Sequence, residues 1–204
     1  MNRGGRFIVL EGGDATGKST QVRRLAERLR ERGHEVIETF EPGATVLGAQ
    51  LRAVLLEGRT AIDGTAEALL MAADRAQHVA EVLGPALARG AWVVSDRFVP
   101  SSLAYQGVAR RLGVEQIEAL NRFATGGLEP DLVMVLSVST DEARRRLGGE
   151  RDRLEGESAE FVDAVHDAYR DLAGDRGWPV VDGEAAPEQV AEAIWAVIEE
   201  RCEP

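Results

Sequence analysis

The stretch Arg6-Phe7-Ile8-Val9-Leu10-Glu11-Gly12-Gly13-Asp14-Ala15-Thr16-Gly17-Lys18-Ser19-Thr20 decides how the rest of the chain is read. Arg6–Leu10 is an apolar run of strand length. Ser19–Arg32 places Val22, Leu25 and Leu29 at helical spacing and stops at Gly33. Between the two, Gly12–Ser19 matches G-x-x-x-x-G-K-[ST] in the context that gives the pattern its meaning, directly after a strand and directly before a helix. Glycines let backbone N–H groups turn inward around phosphate oxygens, and the helix N-terminus adds positive potential at the same point. Lys18 is spaced to reach β- and γ-phosphates, and the Ser19 hydroxyl can ligate Mg2+. Gly12, Gly13, Asp14, Ala15, Thr16, Gly17, Lys18, Ser19 and Thr20 are therefore expected to cradle a nucleoside triphosphate. Lys18 is also the only lysine in the sequence, and every other basic position is arginine. A compact ammonium is kept where a planar fork would not substitute for it.

Working outward, short β-rich runs alternate with helical ones, the pattern of an α/β domain with a parallel sheet. Strands are expected at Arg6–Leu10, Glu35–Phe40, Ala91–Ser95, Leu132–Val138 and Pro179–Val181. Helices are expected at Ser19–Arg32, Thr45–Leu56, Thr65–Arg89 with a bend near Pro85, Pro100–Tyr105, Val114–Phe123, Thr140–Leu147, Ser158–Ala173 and Pro187–Arg201. Gly148–Gly156 is glycine-rich and charged and reads as a mobile loop. A length of 204 residues suits one domain spanning 1–204. No apolar run approaches the roughly 20 residues of a bilayer span, and the N-terminus shows no secretory signal. Cys202 is the lone cysteine, so no internal disulfide forms and a cytoplasmic setting is expected. A net charge of −11 argues against nucleic-acid binding, so any anion must be met by a local cluster of cations.

The motif leaves the reaction open between a kinase acting on a small acceptor and a P-loop ATPase or GTPase switch. A guanine-reading N-K-x-D motif needs a second lysine, which is missing, and no strand ends in consecutive acids. A small-molecule kinase needs further cations and a lid, and both are on offer. Val93-Val94-Ser95-Asp96-Arg97 ends a strand at the edge where ligand crevices form. There Asp96 can hold Mg2+ and Arg97 an acceptor phosphate.

Further segments resemble the thymidylate kinase family. They are Phe40-Glu41-Pro42-Gly43-Ala44-Thr45 (R-E-P-G-G-T in the family), Ala72-Ala73-Asp74-Arg75-Ala76-Gln77-His78 (A-A-D-R-x-x-H) and Asp96-Arg97-Phe98 with Ser101-Ser102-Leu103-Ala104-Tyr105-Gln106-Gly107 (D-R-Y, S-S-x-A-Y-Q-G). Pro130-Asp131-Leu132 resembles P-D-L, and Asp152-Arg153 with Glu155 resembles a D-R-x-E lid. The resemblance runs from Phe7 to about Trp178. It implies a P-loop three-layer α/β sandwich with a five-stranded parallel sheet of order 2-3-1-4-5, a lid near 148–157, and a homodimer. It further implies phosphoryl transfer from ATP to dTMP with Mg2+ held by Ser19 and Asp96. Neighbouring alternatives are another nucleoside monophosphate or deoxynucleoside kinase and an ATPase switch.

By the same resemblance, Asp14 accepts from the deoxyribose 3′-hydroxyl, Arg75 donates to the thymine ring, and Arg52 and Arg97 neutralise the acceptor phosphate. Ser102 and Gln106 line the base and sugar pocket, Tyr105 crowds the 2′ position, and Met71 lies under the base. Lys18, Asp96, Arg97 and Arg153 are the expected catalytic set. The family draws its phosphoryl-contacting arginine from the cradle or from the lid. Because the cradle position is Ala15, Arg153 is expected to close over the phosphates, with Arg151 behind it. Phe40, Met71, Phe98, Ser137 and Ala44 depart from the family pattern, and the first two bear on the acceptor site. His34, His78 and His166 show no metal-ligand spacing, the tryptophans read as packing residues, and Cys202 as an inert thiol in the tail.

Overall fold

Strand β1 (Phe7–Glu11) is buried along its whole length, as a strand covered on both faces must be. The structure, a computed structural model, describes residues 5–57, 60–147 and 152–204. Four more strands join β1: β2 (Val36–Phe40), β3 (Trp92–Asp96), β4 (Leu132–Ser137) and β5 (Val180–Asp182). All pairings are parallel, in the order β2-β3-β1-β4-β5. Leu10 lies opposite Asp96 on one side and Met134 on the other, and Phe40 lies opposite Asp96. The C-terminal ends of the three strands that carry the motifs therefore finish level.

Alternation along β1 divides the core. Ile8 and Leu10 face a layer formed by α1 (Lys18–Glu31) and α9 (Pro187–Cys202). Phe7 and Val9 face the opposite layer. That layer holds α3 (Gly64–His78), α4 (Gly84–Ala88), α5 (Val99–Ser102), α6 (Val114–Thr125) and α8 (Ala159–Arg176). Two shorter helices flank it, α2 (Val46–Arg52) against α3 and α7 (Thr140–Arg146) against α8. This is the three-layer arrangement and strand order expected above.

The expected helix over Thr65–Arg89 is in fact α3 and α4 joined by a wide π-helical turn at Val79–Leu83. Pro85 has no N–H to give to the preceding turn and its ring crowds the carbonyl four residues back, so the ladder widens there. Similar wide turns extend α2 through Ala53–Glu57 and α5 through Leu103–Ala109. Pro100 is the second residue of α5 rather than its first. Ser158 caps α8, its side chain accepting from the Phe161 N–H. Cys202 corrects the sequence reading: α9 runs through it, and the thiol is buried in the core beside Trp195 and Ile198, because the apolar face of the helix continues to its last turn. Of the expected lid near 148–157, Gly148–Arg151 lies outside the described residues.

On the α9 face, Ile194 is 1% exposed, in the cluster that holds Ile8 and Leu10. Ile194→Ala should lower unfolding free energy by about 2–5 kcal/mol through lost burial and a residual cavity. Denaturant titration should show that loss while Michaelis constants measured below the transition stay at wild-type values.

Candidate active site

The turn from β1 into α1 is possible only because two glycines open it. Gly12 has φ +138°, and a methyl there would come within 2.3 Å of the Leu136 carbonyl oxygen. A methyl on Gly13 would come within 2.6 Å of the His166 ring. Inside the loop, Lys18 Nζ donates to the carbonyls of Gly12 (3.1 Å) and Gly13 (2.6 Å), and its side chain is buried. Burial, reinforced by the Arg97 charge, brings the ammonium down to about 8. At the second residue of α1, Ser19 Oγ donates to Asp96 Oδ2 at 2.5 Å. These are two hard oxygen donors side by side, the kind of pair that suits Mg2+ when phosphates complete its shell. Among the described residues no larger cluster of acids, histidines or cysteines forms a metal cage.

Arg97 follows β3 with a left-handed backbone, φ 74°, which turns its side chain across the strand ends. Nη1 donates to the Gly12 carbonyl (3.1 Å), Ser101 Oγ (3.0 Å) and the Tyr169 hydroxyl (3.1 Å), and Nη2 pairs with Asp14. The Tyr105 hydroxyl donates to the other oxygen of Asp14 at 2.9 Å. Burial pushes Asp14 up, but the charges of Arg97 and Lys18 prevail and hold it below its ordinary value. Beneath this layer sits Glu11, wholly buried, and burial pushes its carboxyl up. It accepts from the backbone N–H of Phe98 (2.8 Å) and Ser101 (3.2 Å), from Ser101 Oγ and from the Tyr169 hydroxyl (2.8 Å).

Deeper in the cleft, Arg75 is 2% exposed. Its Nε donates to Glu41 (2.8 Å), Nη1 to Ser102 Oγ (2.9 Å) and to Asn121, and Nη2 to the Phe98 carbonyl (2.9 Å). A guanidinium has five N–H groups, so one on Nη2 is uncommitted among the described residues. His78 steadies Glu41 from behind at 2.8 Å. Asp74 accepts from the Gly43 N–H at 3.0 Å, and burial together with the nearby Glu41 charge raises it to about 6. Gln106 gives its amide N–H to Glu67 (2.8 Å), and Arg52 gives Nη1 to the Pro42 carbonyl (2.7 Å).

One cavity of about 800 Å3 runs along these groups. Asp14, Ala15, Gly17, Lys18, Ser19 and Thr20 line its cradle end, and Asp96 and Arg97 the middle. Arg52, Met71, Arg75, Ser102, Tyr105 and Gln106 line the far end. Gly12, Gly13 and Thr16 stand behind the loop, tied to Lys18.

Arg153 departs from expectation and is corrected here. It does not line the cavity; its Nε donates to the Leu55 carbonyl and its Nη2 to Glu67, both at 2.6 Å. A buried carboxylate on α3 outcompetes open cleft for the guanidinium. Among the described residues, the lid-side arginine that does line the cavity is Arg146, at the end of α7, with Asp152 and Glu155 also in the lining. Arg151 lies outside the described residues. Arg144 and Arg145 are surface groups paired with acids. Sequence reasoning passed over Glu41, Glu67, Asn121 and Tyr169. Tyr169 is spaced with Val165 and Leu172 like any core residue. Glu41 alone carried a signal, an acid next to a proline at a strand end.

Comparison with known proteins now bears on this site. A sequence model of the family described as thymidylate kinase matches residues 10–194. The chain belongs to the thymidylate kinase family. It is similar to a protein named thymidylate kinase from Synechococcus sp. (strain JA-3-3Ab), 47% identical over 199 residues covering 96% of each chain. One of the same name from Clavibacter sepedonicus is 48% identical over 187 residues, covering 86% of this chain and 89% of that one. Another, from Leifsonia xyli subsp. xyli (strain CTCB07), is 47% identical over 197 residues, covering 95% and 94%. The family match spans the cradle, both arginine clusters and the lid segment of this thymidylate kinase family member.

The depressed ammonium has a kinetic consequence. In the free enzyme Lys18 loses its proton as pH rises through about 8, and only the cation attracts phosphate. The pH profile of kcat/KM for ATP should therefore fall above that point. In Lys18→Met the alkaline limb should vanish and the rate should drop by about 10²-fold or more.

Proposed function

We propose that this chain transfers the γ-phosphoryl group of ATP to the phosphate of dTMP, releasing ADP and dTDP. The observation that carries the reading is the single cleft in which a triphosphate cradle and a guanidinium-rich acceptor pocket face each other across Arg97. An anionic oxygen of the dTMP phosphate forms the new bond to the γ-phosphorus. The bond to the β,γ-bridging oxygen breaks, and its electron pair leaves on ADP. The attacking oxygen carries no proton, so no strong base is needed, and the rate comes from placement and charge neutralisation.

Lys18 would move from its loop carbonyls to the β- and γ-phosphates. Arg97 and Arg52 would hold the acceptor phosphate. Asp14 would accept from the 3′-hydroxyl, with Tyr105 filling the space a 2′-hydroxyl would need. The free Nη2 hydrogen of Arg75 would meet a carbonyl edge of the base, beside Ser102, Gln106 and Met71. Ser19 and Asp96 would hold Mg2+, which supplies charge neutralisation at the β- and γ-phosphate oxygens when bound. Arg146 is the lid-side cation on the cavity wall among the described residues.

The same reading takes residues 1–204 as one kinase domain working in the cytoplasm. It also takes the chain as a homodimer joined through the exposed apolar side chains Val46, Leu47 and Val54 and their neighbour Leu69 on α3. No helix among the described residues is long and apolar enough to cross a membrane.

A coupled ADP-release assay across dTMP, dUMP, UMP, CMP, AMP and GMP tests the acceptor. Turnover with dTMP above all others is expected, abolished by chelation of divalent cations and restored by Mg2+. Preference for AMP or CMP, or ATP turnover indifferent to every acceptor, would overturn the reading. Because a thioether is a less rigid platform than a ring, Met71→Phe should lower the KM for dTMP by about threefold or more. An unchanged value would remove ring contact as the limiting factor.

A further inference from the structure

The least exposed acid on α3 is not in the cleft. Glu67 has 0% exposure and gathers donors from two separate parts of the chain. Its Oε1 accepts from Gln106 Nε2 (2.8 Å) and Arg110 Nε (3.3 Å). Its Oε2 accepts from Arg110 Nη2 (3.1 Å) and Arg153 Nη2 (2.6 Å). Gln106 belongs to the wide turn after α5 and lines the acceptor end of the cavity. Arg153 belongs to the lid segment, whose neighbours Asp152, Leu154 and Glu155 line the same cavity.

The lid segment is attached here and nearby. The Arg153 N–H donates to the Leu56 carbonyl (3.0 Å), and Leu154 is buried in the cluster that holds Leu55 and Leu56. Glu157, just before α8, pairs with the same Arg110 Nη2 that donates to Glu67 Oε2. Arg153, Glu67, Arg110 and Glu157 thus make a balanced chain of two cations and two anions closing the lid segment onto α3. Within it, one carboxylate serves the acceptor pocket with one oxygen and the lid with the other.

We propose that Glu67 is a positioning residue that couples occupation of the acceptor pocket to docking of the lid segment, in the kinase reading given above. A buried carboxylate that loses one of its two guanidiniums keeps less compensation for its charge, so undocking Arg153 shifts Glu67 toward its remaining donors, Arg110 and Gln106. A nucleotide that fixes Gln106 holds Glu67 in the orientation that receives Arg153. Such coupling is reciprocal: the factor by which the acceptor favours the docked lid is the factor by which the docked lid favours the acceptor.

The experiment combines hydrogen exchange with steady-state kinetics on the full chain. With dTMP alone, the wild-type amides of Arg153 and Gly156 should exchange at least about fivefold more slowly than without it, the acceptor-bound state favouring docking. In Arg153→Met, whose altered side chain lies off the cavity, that protection should vanish. The KM for dTMP should rise about fivefold while that for ATP stays within about twofold. Glu67→Gln should act in the same direction, and the double variant should be no worse than the worse single one, as expected for partners in one contact. A purely structural role for Glu67 would lower the unfolding midpoint without separating the two KM values. Should Glu67→Gln fail to fold, Arg153→Met alone decides, because it leaves the buried carboxylate paired with Arg110 and Gln106. A folded Arg153→Met with unchanged KM for dTMP, or wild-type exchange indifferent to dTMP, overturns the coupling. Wild type inactive on dTMP would instead overturn the kinase reading.

Discussion

The guanidinium of Arg97 is the point on which both ends of the cleft depend. It touches the Gly12 carbonyl of the cradle, Asp14 beside it, and the hydroxyls of Ser101 and Tyr169. A cation this enclosed is tolerable only with its partners in place, since burying a charge without them costs several kcal/mol. Its position is in turn set by a left-handed backbone at the end of β3 and by Glu11, whose carboxylate gathers the N–H groups of Phe98 and Ser101 and so shapes the turn into α5. The alignment of β1 with β3 brings these pieces to one level, so sheet register and ligand geometry are a single constraint.

Around that point the acceptor end is built from side chains that mostly satisfy one another. Arg75 is anchored by Glu41, Ser102, Asn121 and a carbonyl, which leaves it little freedom to reorient. Phe40, which stands at the arginine position of the R-E-P-G-G-T pattern that this segment resembles, does more than leave out a cation. The Arg52 guanidinium lies over its ring, 5.8 Å from the centroid, and a methyl on Gly43 would strike both side chains. The aromatic ring therefore helps to orient the arginine that remains, a modest attraction of about 0.5–1 kcal/mol at an exposed site.

Much of this was legible in the residues. The strand-cradle-helix unit and the five strands follow from periodicity and from a motif whose spacing has a mechanical reason, Arg97 follows from its place at a strand end, and Arg52 and Arg75 stood out through the family resemblance alone. What stayed hidden has physical causes too. Wide π-helical turns leave no mark in composition, so the extensions of α2 and α5 read as ordinary helix. Arg153 sits in a lid-like segment, but spacing says nothing about which of two anionic neighbourhoods captures a long side chain. Glu67 and Asn121 occupy helix positions that face inward among apolar residues, and only the assembled layer shows that their partners come from distant segments.

The solitary lysine has a practical side. Amine-directed acylating reagents meet one side-chain amine along the whole described surface, and it lies in the triphosphate cradle. Its depressed basicity leaves a larger share unprotonated near neutral pH than a solvated lysine has, which favours nucleophilic attack on such reagents, while its burial slows their approach. Covalent labelling of side-chain amines is thereby a footprint of a single site, one that an occupying nucleotide would shield.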